Sequence, residues 1–378
     1  MRLRKLLALL AILGGCCPLA AAEETVKRQV YVTSRDGAGG HGEKGIYVYD
    51  IDNDHKLVRF IALPKLEGTR GACACAATDK MWISHGNEKV LCLDLKTDKI
   101  VWEVQYAKEE GGADRIGVTP DGRKLYVPSG WWSGDNHVKV VDAETGELLK
   151  KIKVAPNGGL HNLIVTHDGQ RVVVGSTRED MLSVIDTKTD EVMQRVGPII
   201  GVIQPLTING AGTTAYINTH LYREGHGPGF EIGDIASGKI LHVVGRPDLA
   251  ERTSRCHGIG LTPDESEVWV VDQGYKELHI FDNTVSPPKF KQVIPMAAKT
   301  HGWICFSRDG RYAWCDTGEV FDAAAKKLVA QWTDQPDGKG DPVMSSKFFE
   351  VHFRGDDAVF VGQQMGVGYV GAAEGSSP

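Results

Sequence analysis

This 378-residue chain shows almost no helical periodicity, and most signatures that name an enzyme are missing from it. It contains no G-x-S-x-G, no Walker loop and no dinucleotide fingerprint between a strand and a helix. With so little helix, phosphate-cradling helix N-termini are not to be expected either. There is no C-x-x-C-H and no C-x-x-C pair, which removes covalent c-type haem and the usual redox or zinc dithiol. H-x-H and H-E-x-x-H are absent too. Past the N-terminal segment, no apolar run reaches the ~18 residues that a transmembrane helix needs. Basic residues are outnumbered, and a nucleic-acid surface, which needs a basic stripe, is not expected.

What is present is a repeat. Asp50, Asp94, Asp142, Asp186, Asp234, Asp282 and Asp322 each follow a short apolar run such as IYVY, VLCL, VKVV or LHIF. Their spacings are 44, 48, 44, 48, 48 and 40 residues. A period of this size in a strand pattern predicts a β-propeller with one repeat per blade. In the third repeat Ile116–Val118, Lys124–Pro128, Val138–Val141 and Leu148–Val154 read as four strands, with a Thr-Pro-Asp-Gly turn after the first. Pro presets φ in that turn, Asp bonds backbone donors two residues on, and Gly accepts positive φ. The turn recurs around Asp168, Asp264 and Asp309. The following strands, KLYV, RVVVG, TAYIN, EVWVV and RYAWC, suit a sheet packed on both faces.

The fold class predicted is therefore all-β: a seven-bladed β-propeller with four-stranded blades over residues 23–378. Gln29–Thr33, Ile46–Tyr49 and Leu57–Ile61 supply the outer three strands of one blade. Phe348–Phe353 supplies its innermost strand, so N- and C-terminal strands close the ring in one blade and remove its free edges. The tail, Ala358 to Val370, has no obvious slot, and a partial eighth blade is the alternative for it.

These motifs carry a family resemblance. T-P-D-G-R-K-L-Y-V-P-S and V-K-V-V-D-A-E-T-G-E-L-L-K-K-I-K-V in repeat three, with near matches in repeats four and six, resemble the YVTN repeats of YncE-like secreted bacterial proteins. The resemblance speaks for fold more than for function. Related propellers include lactonases, polysaccharide lyases, quinoprotein subunits and DNA-binding proteins.

Residues 1–22 read as a signal peptide: Arg2, Arg4 and Lys5, then apolar Leu6–Leu13, then Ala20-Ala21-Ala22. Without them the balance is 40 basic against 49 acidic residues, or −9. A lipoprotein site before Cys16 is the lesser alternative, and a periplasmic or extracellular location is expected. Cys73, Cys75, Cys92, Cys256, Cys305 and Cys315 remain. Their disulfide state is open, and four lie in apolar strands, where cysteine is commonly a small buried hydrophobe.

Two sets of residues should meet on the top face, where inner strands begin. Counting seven back from each first-turn Asp gives Asp114, His161 and His257, with Gln204 by alignment. His301 is eight back, so a bulge absorbs the extra residue or His301 points elsewhere. Arg70, Arg115 and Asn162 lie beside them. His161, His257 and His301 make a divalent metal conceivable, although no other cofactor is indicated. Polar residues at a channel mouth also often do no more than bond water and the adjacent blade. The second set sits in loops after the second strands: Trp131, Trp132, His220, Tyr222, Arg223 and His226, with His41, His85, His137, Arg178 and Tyr275. Aromatic and Arg residues on one face suit a small molecule, a glycan or a protein partner.

The leading reading is a secreted propeller that binds at its top face and channel mouth, a monomer without an assigned reaction. The alternatives are a channel-mouth enzyme, either a metal-assisted hydrolase or lactonase or a polysaccharide lyase, and a non-catalytic partner of a quinoprotein-type redox enzyme.

Overall fold

The recurrent aspartates do the local work expected of them. Asp94, Asp142 and Asp186 each use Oδ1 to accept the backbone N–H groups two and three residues on, at 2.8–3.0 Å. Asp50, Asp234, Asp282 and Asp322 make the same kind of bond. In the first turns Asp121, Asp168, Asp264 and Asp309 accept both a hydroxyl two residues earlier and an N–H two residues later. A turn stapled from inside its own loop sets strand register without help from neighbours.

A computed structural model describes residues 25–34, 43–219, 225–252, 256–298, 301–345 and 347–372, the side chain of Gln204 excepted. The chain forms a seven-bladed β-propeller of antiparallel sheets. Six blades have four strands, as in the fourth: Leu160–Val165, Arg171–Ser176, Leu182–Asp186 and Glu191–Val196. Among the described residues there is no α-helix, and no helix is long and apolar enough to cross a membrane. The six cysteines among the described residues are unpaired, five buried and Cys73 partly so.

The remaining blade closes the ring. Val26–Thr33 pairs along its length with Phe348–Arg354, and Gly45–Asp50 and Lys56–Ala62 complete the outer side. This blade has five strands rather than the four expected, because Asp357–Val361 adds inside Phe348–Arg354. Among the described residues there is no eighth blade.

After that strand the chain crosses the channel. Gln363 Nε2 donates to Val165 O at 3.0 Å, Cys305 Sγ to Gln364 O at 2.8 Å, and Thr207 Oγ1 and Leu261 N both donate to Gly366 O at 2.8 Å. His167 Nε2 bonds Gly368 O at 2.9 Å, and Tyr369 N donates to Pro263 O at 3.1 Å. The tail thus ties itself to the fourth, fifth, sixth and seventh blades at the lower half of their inner strands. Met365 and Val367 are buried there, and a void of ≈ 30 Å³ lies beside Ala72, Ile116 and Leu163. Above this plug lie the strand heads that form the channel's mouth.

Adjacent blades are also joined by buried polar bonds. Trp82 Nε1 donates to Ala143 O at 3.0 Å between the second and third blades. Tyr126 and Lys124 both reach Asp190 at 2.7 Å between the third and fourth. At the closure Trp314 Nε1 donates to His55 Nε2 at 2.9 Å, and Tyr49 donates to Thr333 O at 3.0 Å.

Two outcomes test this architecture. A Cβ at Gly210 would lie 2.5 Å from the carbonyl carbon of Tyr369. Gly210→Ala should therefore lower stability by about 1–3 kcal/mol and speed proteolysis near residue 369, read by thermal melts and limited digestion. Burial lowers the pKa of His55 to about 4, with Arg28 adding to the effect. Below pH 6.5 the unfolded imidazole takes a proton that the folded one refuses. About 3 kcal/mol of stability should be lost as pH falls from 6.5 to 4, levelling off below. In His55→Asn, chemical denaturation across that window should show that part of the slope gone.

Candidate functional site

The heads of the inner strands are bulged. Pairing register shifts between Leu160 and Leu163, between Ile203 and Leu206, and between Cys256 and Ile259. These irregularities fall on His161, Gln204 and His257, and a bulge re-aims side chains out of the pleat. The imidazoles of His161 and His257 have centroids 6.2 Å apart, and those of His257 and His301 4.6 Å. His301 belongs to this group. Asp316 takes its backbone N–H at 2.7 Å and those of Gly302 and Trp303 at 3.2 Å, which shapes the extra residue into the strand entry.

Each of two rings has one nitrogen assigned by its surroundings. His161 Nδ1 lies 2.8 Å from Asp114 Oδ2, and His257 Nδ1 lies 3.1 Å from Gly302 O. Burial lowers the pKa of both histidines; for His257 the neighbouring His301 and His161 add to this. Burial would raise the carboxyl of Asp114, but His161 and Arg115 hold it below the usual carboxylate range. At neutral pH the result is an ionised Asp114 and two neutral imidazoles with Nδ1–H donating. Nε2 of each ring is left as an acceptor.

Cations stand beside these acceptors. The Arg115 guanidinium lies 4.1 Å over Trp303, and Lys347 Nζ lies 5.3 Å from the same ring. Burial lowers the pKa of Arg115 to about 10, against the pull of Asp114, so it stays charged at neutral pH. Arg115 donates to Arg70 O. Several buried polar atoms find no protein partner here: Arg115 Nε, Trp303 Nε1, and both amide atoms of Asn162. Asn162 is 1 % exposed. Buried polar groups are nearly always satisfied, so such a cluster marks a place where water or a ligand completes the bonding.

From the mouth a cationic and aromatic strip runs outward. Arg70 lies 4.7 Å over Trp132, which meets Trp131 edge-on at 6.0 Å. Arg178 donates to both tryptophan carbonyls at 3.5 Å. Trp132 packs inward against Gly112 and Gly130, whereas Trp131 is 48 % exposed. One tryptophan is structural and the other is free to contact a ligand.

Gln204 heads its strand by backbone position. His220, Tyr222 and Arg223 lie outside the described residues, as does His41. His226 is part-exposed, and its carbonyl accepts Arg246 N at 2.8 Å beside the fifth blade's outer strand, away from the histidine group. His85 is buried, with Nε2 3.3 Å from Glu103. Tyr275 is exposed, with Arg252 4.1 Å over one face of its ring. Trp303, Lys347 and Asp316 were not foreseen. Lys347 could have been, because it precedes Phe348–Arg354, the strand that the repeat pattern makes equivalent to the first strand of the other blades.

Among the described residues, one set of three potential metal ligands has its atoms within 4.8 Å of one another: Asp272, Glu277 and His279. The histidines of the mouth do not meet that spacing as they stand. The Asp272 set already holds a cation, since Arg252 Nη1 lies 3.4 Å from Asp272 and bonds Glu277. It is an ion-pair cluster beneath a hairpin.

With this geometry in hand, comparison with known proteins is informative mainly about fold. No curated protein matches the sequence. A solved chain of Kuenenia stuttgartiensis hydrazine synthase is similar with a TM-score of 0.61 at 13% identity, over 79% of this chain and 93% of that one. The Myceliophteria thermophila Cps50 (Swd1) β-propeller domain gives 0.60 at 12% identity, over 79% and 94%. At such identities the likeness is of fold alone. A family model described as outer membrane protein assembly factor BamB matches residues 44–192 and 86–376. Since those matches together span most of the chain, this protein belongs to that BamB-type propeller family.

Proposed function

We propose that this chain is a binding propeller whose channel mouth takes a small polyhydroxylated acid, with no reaction assigned. The observation that carries this is the cluster of unsatisfied buried atoms, Arg115 Nε and both ends of the Asn162 amide, beside two imidazoles that keep Nε2 as acceptor. Cations ask for a carboxylate, and imidazole Nε2 and amide oxygen ask for hydroxyl donors. A sugar acid supplies both on one small frame. Exposed Trp131, beyond Arg70 and Trp132, offers a flat face to an extended ligand. The repeat motifs support a YVTN-type subgroup within the wider family. The start of the sequence, with a family description that refers to the outer membrane, supports export to the cell envelope. A family of assembly factors also makes a protein partner on the top-face loops a reasonable companion role.

A metal-dependent reading has one observation of its own. Imidazoles whose Nδ1–H is held by a carboxylate or a carbonyl are typical of metal ligands, and His161 and His257 are held in that way. A divalent ion would need modest rotation of the rings and His301 as a third ligand.

Asn162→Leu separates function from structure. A group left unsatisfied for ligand's sake should cost nothing to remove, so the melting temperature should hold or rise. Calorimetric titration with D-gluconate and D-galacturonate should bind the parent chain and show at least tenfold weaker binding to the variant. Failure of both acids to bind the parent rejects the reading, and so does equal binding to the variant. For the metal reading, elemental analysis of purified protein should find a stoichiometric divalent ion. A folded His161→Ala, His257→Ala double variant should lose it. A metal-free parent that takes up no added zinc would discard this reading.

A further inference from the structure

On the face opposite the mouth, a cleft of ≈ 680 Å³ opens between the sixth and seventh blades, floored by the tail. We propose that this cleft is a second binding site, for a small organic anion carrying a carboxylate or phosphoryl group. The argument is a balance of donors and acceptors. Glu267, 6 % exposed, accepts Lys291 Nζ at 2.6 Å, Trp269 Nε1 at 2.8 Å and Lys326 Nζ. Two ammonium groups thus share one carboxylate. Arg308 is a third cation on the lining. Its guanidinium lies 4.0 Å over the ring of Tyr369 and 5.7 Å from that of Phe360, and no carboxylate among the described residues pairs with it.

The acidic groups nearby are already engaged. Asp309 pairs with Arg28 at 2.9 Å and accepts Ser307 Oγ at 2.6 Å and Arg311 N at 3.0 Å. Asp264 Oδ1 accepts Thr262 Oγ1 at 2.6 Å, Ser266 Oγ at 2.9 Å and Ser266 N at 3.1 Å. Acceptors are largely spent while donors remain: the planar fork of Arg308 and the further N–H groups of Lys291. A ligand that completes this site must bring acceptors, which means an anion.

The cleft is also built rather than incidental. Tyr369, the platform for Arg308, is pinned by its N–H to Pro263 O at 3.1 Å, and Val370 N donates to Glu265 Oε1 at 3.0 Å. A guanidinium stacked on a pinned ring loses little freedom on binding, which favours affinity. The volume lies within the range of roughly 300–1,000 Å³ common to small-molecule sites.

The test is calorimetric titration of the full chain with citrate and, separately, with inorganic phosphate. Saturable binding of one or both is expected, and the arm that binds tells a carboxylate site from a phosphoryl site. Arg308→Ala and Lys291→Ala should each weaken binding at least tenfold. Arg308 is exposed, so its replacement should leave the melting temperature of ligand-free protein unchanged. Arg308→Lys should restore only part of the affinity, because it keeps charge without the planar fork. Arg115→Ala, at the opposite mouth, should leave this binding untouched. The proposal is overturned if neither probe saturates or if the Arg308→Ala, Lys291→Ala double variant binds as the parent does. It is equally overturned if Arg115→Ala removes the binding, since the anion would then belong to the mouth.

Discussion

The pairing of Val26–Thr33 with Phe348–Arg354 is the constraint on which the rest of this molecule depends. The two segments are separated by nearly the whole chain, so their closure is entropically demanding and rewarded only when the intervening blades are in place. Once made, it brings the first and seventh blades together, where His55 meets Trp314 and Tyr49 meets the Thr333 carbonyl. It also delivers the segment after Phe348–Arg354 to the axis of the ring. The next strand, Asp357–Val361, starts inside the closing blade, and the tail has no route but across the channel. Closure and plug are consecutive consequences of one pairing.

That plug gives the two faces different characters. Above it, the neutral imidazoles of His161 and His257 stand beside the buried Arg115. Below it, Tyr369 becomes the floor of a polar cleft. The chemistry at the mouth is quiet: Asp114 is ionised and bonded, and His161 and His257 are neutral at physiological pH. This arrangement suits recognition. A like geometry with an ion bound between the rings would suit activation of water, so the difference between the two readings is one of occupancy rather than fold.

Much of this was legible in the order of residues. Seven aspartates at a regular spacing revealed seven blades, because each makes a bond inside its own turn and needs no distant partner. Counting back from the first-turn aspartates placed His161 and His257 at equivalent strand heads, and the ring geometry sets His257 between His161 and His301. The extra residue before His301 was visible as an offset, but its direction was not. Asp316, thirteen to fifteen residues on, gathers three successive N–H groups and so decides where the ring goes. The tail was read as strand-like pieces without a slot. Several of its partners are backbone groups of other blades, such as Val165 O, Leu261 N and Pro263 O, which every residue carries, and the side chains it meets, Thr207, Cys305 and His167, have no spacing that points to the tail.

Local bonding therefore determined blade number, turn chemistry and the rank of residues at the strand heads, since each depends on neighbours a few positions away. Tertiary structure alone decided that Arg115 and Lys347 both face the Trp303 ring, that Trp132 packs while Trp131 stays exposed, and that the tail crosses the channel. Those outcomes turn on which atoms compete for one volume around the axis. Such competition exists only after distant strands have been drawn into a ring.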